Sequence, residues 1–195
     1  MPWPESLAVA LASLNEPLHH DENSTERRLA FRSVHFSGDE LVTAKHRVLF
    51  LCTGNSARSQ MAEGLVNAFL GERWEAFSAG TQPTGYVHPL AVEAMAEIGV
   101  GLAGQASKHV DVYRGEAFDV VITVCDDAAQ NCPVWLGKGR RLHVGFPDPA
   151  AATGTHEERL EFFRKVRDGI RERLFPLLEN FQQEKDAPSW HLERL

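Results

Sequence analysis

Two residues six positions apart, Cys52 and Arg58, are the ones in this sequence best suited to chemistry. Cys52 follows the apolar run 48–51, and a thiolate there would be a strong nucleophile. Arg58 can offer two parallel donors to two oxygens of an anion, and it stays charged throughout the working pH range. The residues between them are small or polar: Thr53, Gly54, Asn55, Ser56 and Ala57. We therefore expect a loop that binds a tetrahedral oxyanion, with Cys52 as the nucleophile at its floor.

A helix predicted over 59–70 adds to the anion-binding character of this loop. If Ser59 begins the helix, the loop amides and the helix N-terminus present partial positive charge to the anion. The same field favours the thiolate of Cys52, and the Ser59 hydroxyl can donate a hydrogen bond to it. Gly54 permits close backbone approach and positive φ, and Asn55 tolerates left-handed geometry. The alternative is a buried strand-end cysteine before an ordinary turn, which the strand–loop–helix context disfavours.

Two further cysteines decide which chemistry is expected. Cys125 follows the apolar run 120–124, and Cys132 comes seven residues later. In a parallel sheet, strands ending at Cys52 and Cys125 finish at the same edge about 4.8 Å apart, so a disulfide between them is geometrically feasible. Seven residues of helix would separate the Cα atoms of Cys125 and Cys132 by about 10 Å. A disulfide spans roughly 4.4–6.8 Å, so their segment would have to bend or unwind to join them.

Three motifs in order resemble the thioredoxin-coupled arsenate reductases, which share the fold of the low-molecular-weight protein tyrosine phosphatases. They are the segment 48–64 around the loop, the segment 124–134 around the later cysteines, and Phe-Pro-Asp-Pro-Ala at 146–150. The resemblance covers roughly residues 46–181. It implies an α/β three-layer sandwich with a central four-stranded parallel sheet.

The resemblance also implies a role for each reactive residue. Cys52 would attack arsenate, Arg58 would hold the adduct with the loop amides and Ser59, and Asp148 would protonate the departing oxygen. Cys125 would then attack Cys52 and release arsenite. Cys132 would take over the disulfide by attacking Cys125, and external thioredoxin would reduce the Cys125–Cys132 bond. Each step is an ordinary thiol–disulfide exchange.

Two alanines separate this sequence from the related phosphatases. Ala57 and Ala150 stand where the phosphatases usually carry a second loop cysteine and an aromatic residue. Without aromatic stacking a small inorganic oxyanion is the expected substrate, so arsenate is favoured and phosphate or sulfate would compete. Two alternatives stay open. One is a phosphatase of the same fold, which needs neither Cys125 nor Cys132, and weak phosphatase activity is compatible with either enzyme. The other is a non-catalytic redox or oxyanion sensor.

A potassium ion assists some members of the family that this sequence resembles. Asn55, Glu63 and Ser78 match positions that support the ion, but Lys108 lies where an acidic partner would be expected. We therefore expect at most a weak potassium site and no tightly bound cofactor. The histidines show no paired metal-ligand spacing with the cysteines, so zinc is not expected.

The composition fits one enzymatic domain. The chain has 195 residues, 43% of them hydrophobic, a formal net charge of −7 and an isoelectric point near 5.7. This acidic balance argues against a nucleic-acid partner. An odd number of cysteines and a thiolate mechanism favour a reducing compartment, so a cytoplasmic location is expected. The expected oligomeric state is a monomer. No segment approaches the length of a membrane span.

The elements that must position these residues alternate along the chain. The apolar runs predict strands at about 47–52, 74–78, 119–125 and 141–146. Helices are predicted over 59–70 and 89–98, and Thr155 with Glu158 forms a capping box for a long last helix. That helix carries an apolar stripe at helical period for packing on the sheet, and Pro176 is expected to kink or weaken its end.

Three parts of the chain follow from this pattern. Residues 46–181 form the expected catalytic domain, and 182–195 form a C-terminal tail. Residues 1–45 are an extension, partly helical or flexible, because leucines at positions 7, 11 and 14 suggest a short amphipathic helix and a second helix can begin near Asn23. This extension is either a loosely packed tail or an arm for a dimer or another partner.

Overall fold

The computed structural model describes residues 44–125, 135 and 137–186. Four strands are present: β1 His46–Cys52, β2 Trp74–Gly80, β3 Val120–Thr123 and β4 Arg140–His143. The α-helices are α1 Arg58–Phe69, α2 Pro89–Ala96 and α3 His156–Asp186, and short 3₁₀ helices span Val110–Tyr113 and Pro149–Ala151. The predicted helices near residues 7–14 and 23, as well as Cys132 and the end of the tail, lie outside the described residues.

The four strands form one parallel sheet in the order β2-β1-β3-β4. This confirms the predicted fold class. β3 and β4 are shorter than predicted because they pair over four residues only, from Val120 opposite Arg140 to Thr123 opposite His143. Beyond these residues Val124 and Phe146 are buried although neither belongs to a strand, so an apolar pattern alone overestimates the strand length.

The central strands β1 and β3 are buried on both faces, as expected for parallel strands, whereas the edge strand β4 is largely exposed. Val48, Phe50 and Cys52 of β1 belong to a core formed with the three α-helices. Leu49 and Leu51 point the other way, into a second cluster. Aromatic rings dominate that cluster, which contains Tyr113, Phe118 and Trp135 with Phe77 packed against it.

Helix α3 is the longest element and packs against α1 and α2. The predicted stripe is buried along its length: Leu160, Phe163, Val166, Ile170, Leu174 and Leu178. Its start carries the predicted capping box, since the Thr155 amide donates to Glu158 Oε2 at 2.8 Å and the Glu158 amide donates to Thr155 Oγ1 at 3.3 Å. The helix continues through Pro176 to Asp186.

The carboxyl ends of the strands carry the loops of interest. The loop 53–57 connects β1 to α1, and Cys125 follows the neighbouring strand β3. Asp148 follows β4 and caps the 3₁₀ helix Pro149–Ala151. No helix within the described residues has the length and apolar character needed to cross a membrane.

Candidate active site

The Cys52 sulfur lies where β1 ends and the loop 53–57 begins. The residue is 2% exposed, and the structure shows it as a thiol outside any disulfide. Its Sγ atom is 2.9 Å from Ser59 Oγ and accepts a hydrogen bond from the Asn55 amide at 3.1 Å. Two donors directed at one sulfur stabilise a thiolate.

The Ser59 hydroxyl is oriented by a buried asparagine. Asn55 Nδ2 donates to Ser59 Oγ at 3.0 Å and to Ser78 Oγ at 2.8 Å, while Asn55 Oδ1 accepts from the Lys108 amide at 2.8 Å. Because the Ser59 oxygen already accepts from Asn55, its own hydrogen is available to the Cys52 sulfur. Asn55 is also the left-handed residue of the loop, with φ of 45°, whereas Gly54 does not take the positive φ that the sequence allowed.

Four consecutive carbonyl groups of the loop accept hydrogen bonds from outside it. Gln82 N binds Thr53 O at 2.9 Å, Thr84 N and Ser107 Oγ bind Gly54 O at 3.0 and 3.1 Å, Gln60 Nε2 binds Asn55 O at 3.0 Å, and His88 N binds Ser56 O at 2.8 Å. In a trans peptide the amide points opposite to the carbonyl. The carbonyls held on the outside therefore leave the amides of residues 54, 56 and 57 for an anion, while the Asn55 amide donates to the Cys52 sulfur.

These outer contacts were not predicted from the sequence. Most come from two irregular segments, 81–88 and 104–109, and three are made by backbone amides. A backbone amide leaves no mark in a residue pattern, so the only signal was a segment rich in glycine and proline after β2, which predicts a loop and nothing about its neighbours.

Arg58 and Asp148 lie together, although 90 residues separate them in the sequence. Arg58 Nη2 is 3.0 Å from Asp148 Oδ2, and Arg58 Nη1 donates to the Phe146 carbonyl at 3.2 Å. The Arg58 side chain is 9% exposed and that of Asp148 is 44% exposed. The carboxyl group is therefore open to solvent on one side while its partner is fixed in the protein. Asp148 Oδ1 also accepts from the Ala150 amide at 3.1 Å.

Cys125 lies at the same end of the sheet as Cys52. The Val124 amide donates to the Leu51 carbonyl at 2.8 Å, which continues the contact between β1 and β3 one residue beyond the end of β3. Cys125 is 5% exposed, and its sulfur is 4.0 Å from the Thr53 hydroxyl. The third cysteine, Cys132, is outside the described residues.

Glu63 and Lys108 form a partly buried ion pair behind Asn55. Glu63 Oε2 and Lys108 Nζ are 3.7 Å apart, and this carboxylate oxygen is buried without a hydrogen bond among the described residues. Burial raises the pKa of Glu63, and hydrogen bonding to Ser78 and the charge of Lys108 oppose that rise. The structure thus brings together Asn55, Glu63 and Ser78, with the ammonium group of Lys108 beside the carboxylate. Across the part of the chain described, no group of three His, Cys, Asp or Glu side chains could hold a metal ion.

Comparison with known proteins agrees on one family. The sequence pattern of the low molecular weight phosphotyrosine protein phosphatases matches residues 47–187. The arsenate reductase of Bacillus subtilis (strain 168) is 47% identical over 127 residues, which are 65% of this chain and 91% of that protein.

Solved structures show the same likeness. An arsenate reductase in the phosphate-binding state superposes with a TM-score of 0.60 at 31% identity, over 70% of this chain and 98% of that one. A thioredoxin-dependent arsenate reductase of Corynebacterium glutamicum superposes with a TM-score of 0.52 at 30% identity, over 73% of this chain and 64% of that one.

Proposed function

Because this chain belongs to the low molecular weight phosphotyrosine protein phosphatase family and is similar to known arsenate reductases, we propose that it reduces arsenate to arsenite through the thiolate of Cys52. One observation carries the proposal. The Cys52 sulfur receives hydrogen bonds from Ser59 and the Asn55 amide at one end of a loop whose other amides are left for an anion. Arg58, which follows that loop, is paired with Asp148 at 3.0 Å.

The first step forms a bond between sulfur and arsenic. The loop amides and the Arg58 guanidinium hold the oxygens of arsenate while the Cys52 thiolate attacks the arsenic(V) centre. One oxygen leaves as water after the Asp148 carboxyl gives it a proton. The product is a thiol–arsenate adduct in which arsenic is still arsenic(V).

Reduction occurs when a second thiolate attacks this adduct. The Cys125 sulfur bonds to the Cys52 sulfur, the sulfur–arsenic bond breaks, and its electron pair goes to arsenic, which leaves as arsenite. Cys132 then attacks Cys125, which frees Cys52 and leaves a Cys125–Cys132 disulfide. The dithiol of thioredoxin reduces that disulfide and becomes oxidised. Two features support this relay: Cys52 ends β1 and Cys125 follows the paired strand β3 at the same end of the sheet, and one relative is thioredoxin-dependent.

The test is NADPH oxidation after arsenate is added to the protein with thioredoxin and thioredoxin reductase. The wild-type protein should turn over many times, and Cys52→Ser should show no activity. Cys125→Ser should show no steady turnover because the adduct has no internal attacker. Cys132→Ser should stop after one turnover with a Cys52–Cys125 disulfide, which mass spectrometry of a tryptic digest can identify.

Hydrolysis of p-nitrophenyl phosphate provides the control for these variants. This reaction uses Cys52, Arg58 and Asp148 only, so any hydrolysis by the wild-type protein should persist in Cys125→Ser and disappear in Cys52→Ser. Full multiple-turnover arsenate reduction by Cys125→Ser would contradict the relay. Absence of turnover by the wild-type protein would contradict arsenate reduction itself and would favour the sensor.

A second candidate function is hydrolysis of phosphate monoesters. The family pattern supports it, and so does Tyr86, which is 54% exposed on the segment whose Thr84 amide binds the loop carbonyl of Gly54. An exposed aromatic ring can stack on an organic phosphate ester. We infer that this is a weak side activity, because hydrolysis alone gives Cys125 and Cys132 no role. If the catalytic efficiency of the wild-type protein were higher for aryl phosphate than for arsenate, hydrolysis would be the main activity.

A further inference from the structure

His88 connects the oxyanion loop 53–57 to two helices. Its backbone amide donates to the Ser56 carbonyl at 2.8 Å, in the middle of that loop. Its side chain is the N-cap of α2, where Nδ1 accepts a hydrogen bond from the Leu90 amide at 3.1 Å. Its ring stacks on Phe163 of α3, with ring centroids 4.7 Å apart and an interplanar angle of 27°. One residue thus joins the loop, α2 and α3.

The capping hydrogen bond determines which nitrogen of the His88 ring carries a proton. Nδ1 can accept from the Leu90 amide only if it carries no proton, so the proton of the neutral ring is on Nε2. Pro89 has no amide hydrogen, so the Leu90 amide is the first donor of α2. This amide has no acceptor within its own helix and depends on the His88 side chain. If Nδ1 were protonated, its N–H group and the Leu90 amide would both be donors, and the capping hydrogen bond would be lost.

The surroundings of the ring favour the neutral form. Burial lowers the pKa of His88 from its ordinary value of 6.5, and the positive charge of Arg159 on α3 lowers it further. The negative charge of Asp148, in the loop after β4, opposes both effects. The neutral form therefore persists to lower pH than in a free histidine, and protonation below that range acts against the folded cap.

We propose that His88 is a positioning residue of the oxyanion loop that acts through its unprotonated Nδ1 atom, and that protonation of its ring weakens oxyanion binding. The proposal rests on the proposed function, since it assumes that loop 53–57 binds a tetrahedral anion. Loss of the cap releases the His88 backbone, the Ser56 carbonyl loses its outer donor, and the neighbouring amide is no longer held toward the anion.

Sulfate affinity measured by calorimetry from pH 8 to pH 5 tests this role. Sulfate stays doubly charged over this range, whereas phosphate and arsenate titrate near pH 6 to 7. His88→Asn keeps a side-chain acceptor for the Leu90 amide and cannot titrate. His88→Phe keeps an aromatic ring against Phe163 and has no acceptor. His109→Asn is the matched control, because His109 Nδ1 caps the 3₁₀ helix Val110–Tyr113 with the same bond to the Asp111 amide.

We expect His88→Phe to bind sulfate about tenfold more weakly than the wild-type protein at pH 7.5, the usual scale of a lost cap. His88→Asn should match the wild-type protein within about twofold at that pH. As the pH falls toward 5, the wild-type protein should lose affinity relative to His88→Asn, by up to about tenfold once the ring is fully protonated. Both proteins share Cys52, Arg58 and Asp148, so this ratio isolates the histidine. His109→Asn should follow the wild-type protein throughout.

Two results would overturn the proposal: wild-type sulfate affinity in His88→Phe, or a constant ratio between wild-type and His88→Asn affinities from pH 8 to pH 5. If His88→Phe does not fold, the ratio for His88→Asn still decides. Failure of the proposed function is detected separately, as absence of arsenate turnover in a wild-type protein that binds sulfate normally.

Discussion

Lys108 stabilises the site at two points with two different groups. Its backbone amide donates to Asn55 Oδ1 at 2.8 Å and so helps to orient the asparagine that directs Ser59 toward Cys52. Its ammonium group lies 3.7 Å from Glu63 Oε2, an oxygen without a hydrogen bond among the described residues. A partly buried carboxylate needs a neighbouring positive charge, and Lys108 supplies it from within the chain.

Lys108→Asp removes the ammonium group beside Glu63, so the variant should need a bound cation from solution in its place. Two carboxylates would then lie beside Asn55 and Ser78, and oxygen-rich sites of this kind bind hard cations. We expect arsenate turnover by the wild-type protein to be the same in potassium chloride and sodium chloride. Turnover by Lys108→Asp should rise about fivefold when potassium replaces sodium, equivalent to about 1 kcal/mol.

Lys108→Met is the control, because it removes the ammonium group without adding an oxygen ligand. It should be less active than the wild-type protein in both salts and should not distinguish between them. The prediction would be contradicted if potassium stimulated turnover by the wild-type protein, or if it did not stimulate turnover by Lys108→Asp. Either result would mean that the Lys108 ammonium group does not replace a potassium ion.

At the scale of elements, the end of β2 sets the space available to the oxyanion loop. Gly80 is the last residue of β2 and pairs with Cys52 across the sheet. A Cβ atom at Gly80 would be 2.4 Å from the Thr53 carbonyl oxygen and 3.0 Å from the Asn55 amide nitrogen. Both atoms belong to backbone, which cannot move aside as a flexible side chain can. The strand and the loop therefore fit each other only with glycine at this position.

Gly80→Ala should displace the loop without touching any reactive side chain. We expect sulfate affinity and arsenate turnover to fall by at least about tenfold, and the free energy of unfolding to fall by about 1–3 kcal/mol from overpacking. Gly101→Ala is the matched control, since a Cβ atom there meets no other atom within 4 Å. Its stability should change by less than about 0.5 kcal/mol. Unchanged sulfate binding in Gly80→Ala would mean that the loop tolerates a shift of its backbone.

The sequence predicts those features of the fold and the site that depend on the chemical type of a side chain. Cys52, Arg58 and Ser59 could be selected as candidate site residues because their chemistry is carried by the residues themselves, and the stripe of α3 could be predicted because it repeats at helical period. The anchors of the loop were not identifiable. Gln82, Thr84 and His88 act there through backbone amides, which every residue except proline possesses. Only the folded arrangement of segment 81–88 shows which of those amides meet the loop.

At the scale of the whole molecule, the contributors to the site among the described residues run from the end of β1 to α3. The first of these is Cys52 in β1, and the last is Arg173 on α3, which donates to the Gly145 carbonyl at 2.8 Å and lies over the Phe146 ring. That contact supports the strand exit leading to Asp148. The B. subtilis arsenate reductase matches this chain over 91% of its own length in 127 residues, so a protein of that size can contain the whole fold.

A chain that lacks residues 1–45 should therefore fold and keep the proposed activity. Every site contact described above joins residues within 51–173, and the family pattern begins at residue 47. We expect kcat/KM for arsenate within about threefold of the full chain, and an unfolding free energy in urea within about 1 kcal/mol. A chain that instead ends at Arg173 is the opposite control, because it removes Leu174, Leu178 and Phe181 from the core and should not fold stably. If the chain lacking residues 1–45 unfolds cooperatively with full stability yet binds arsenate poorly, the extension contributes to the site itself.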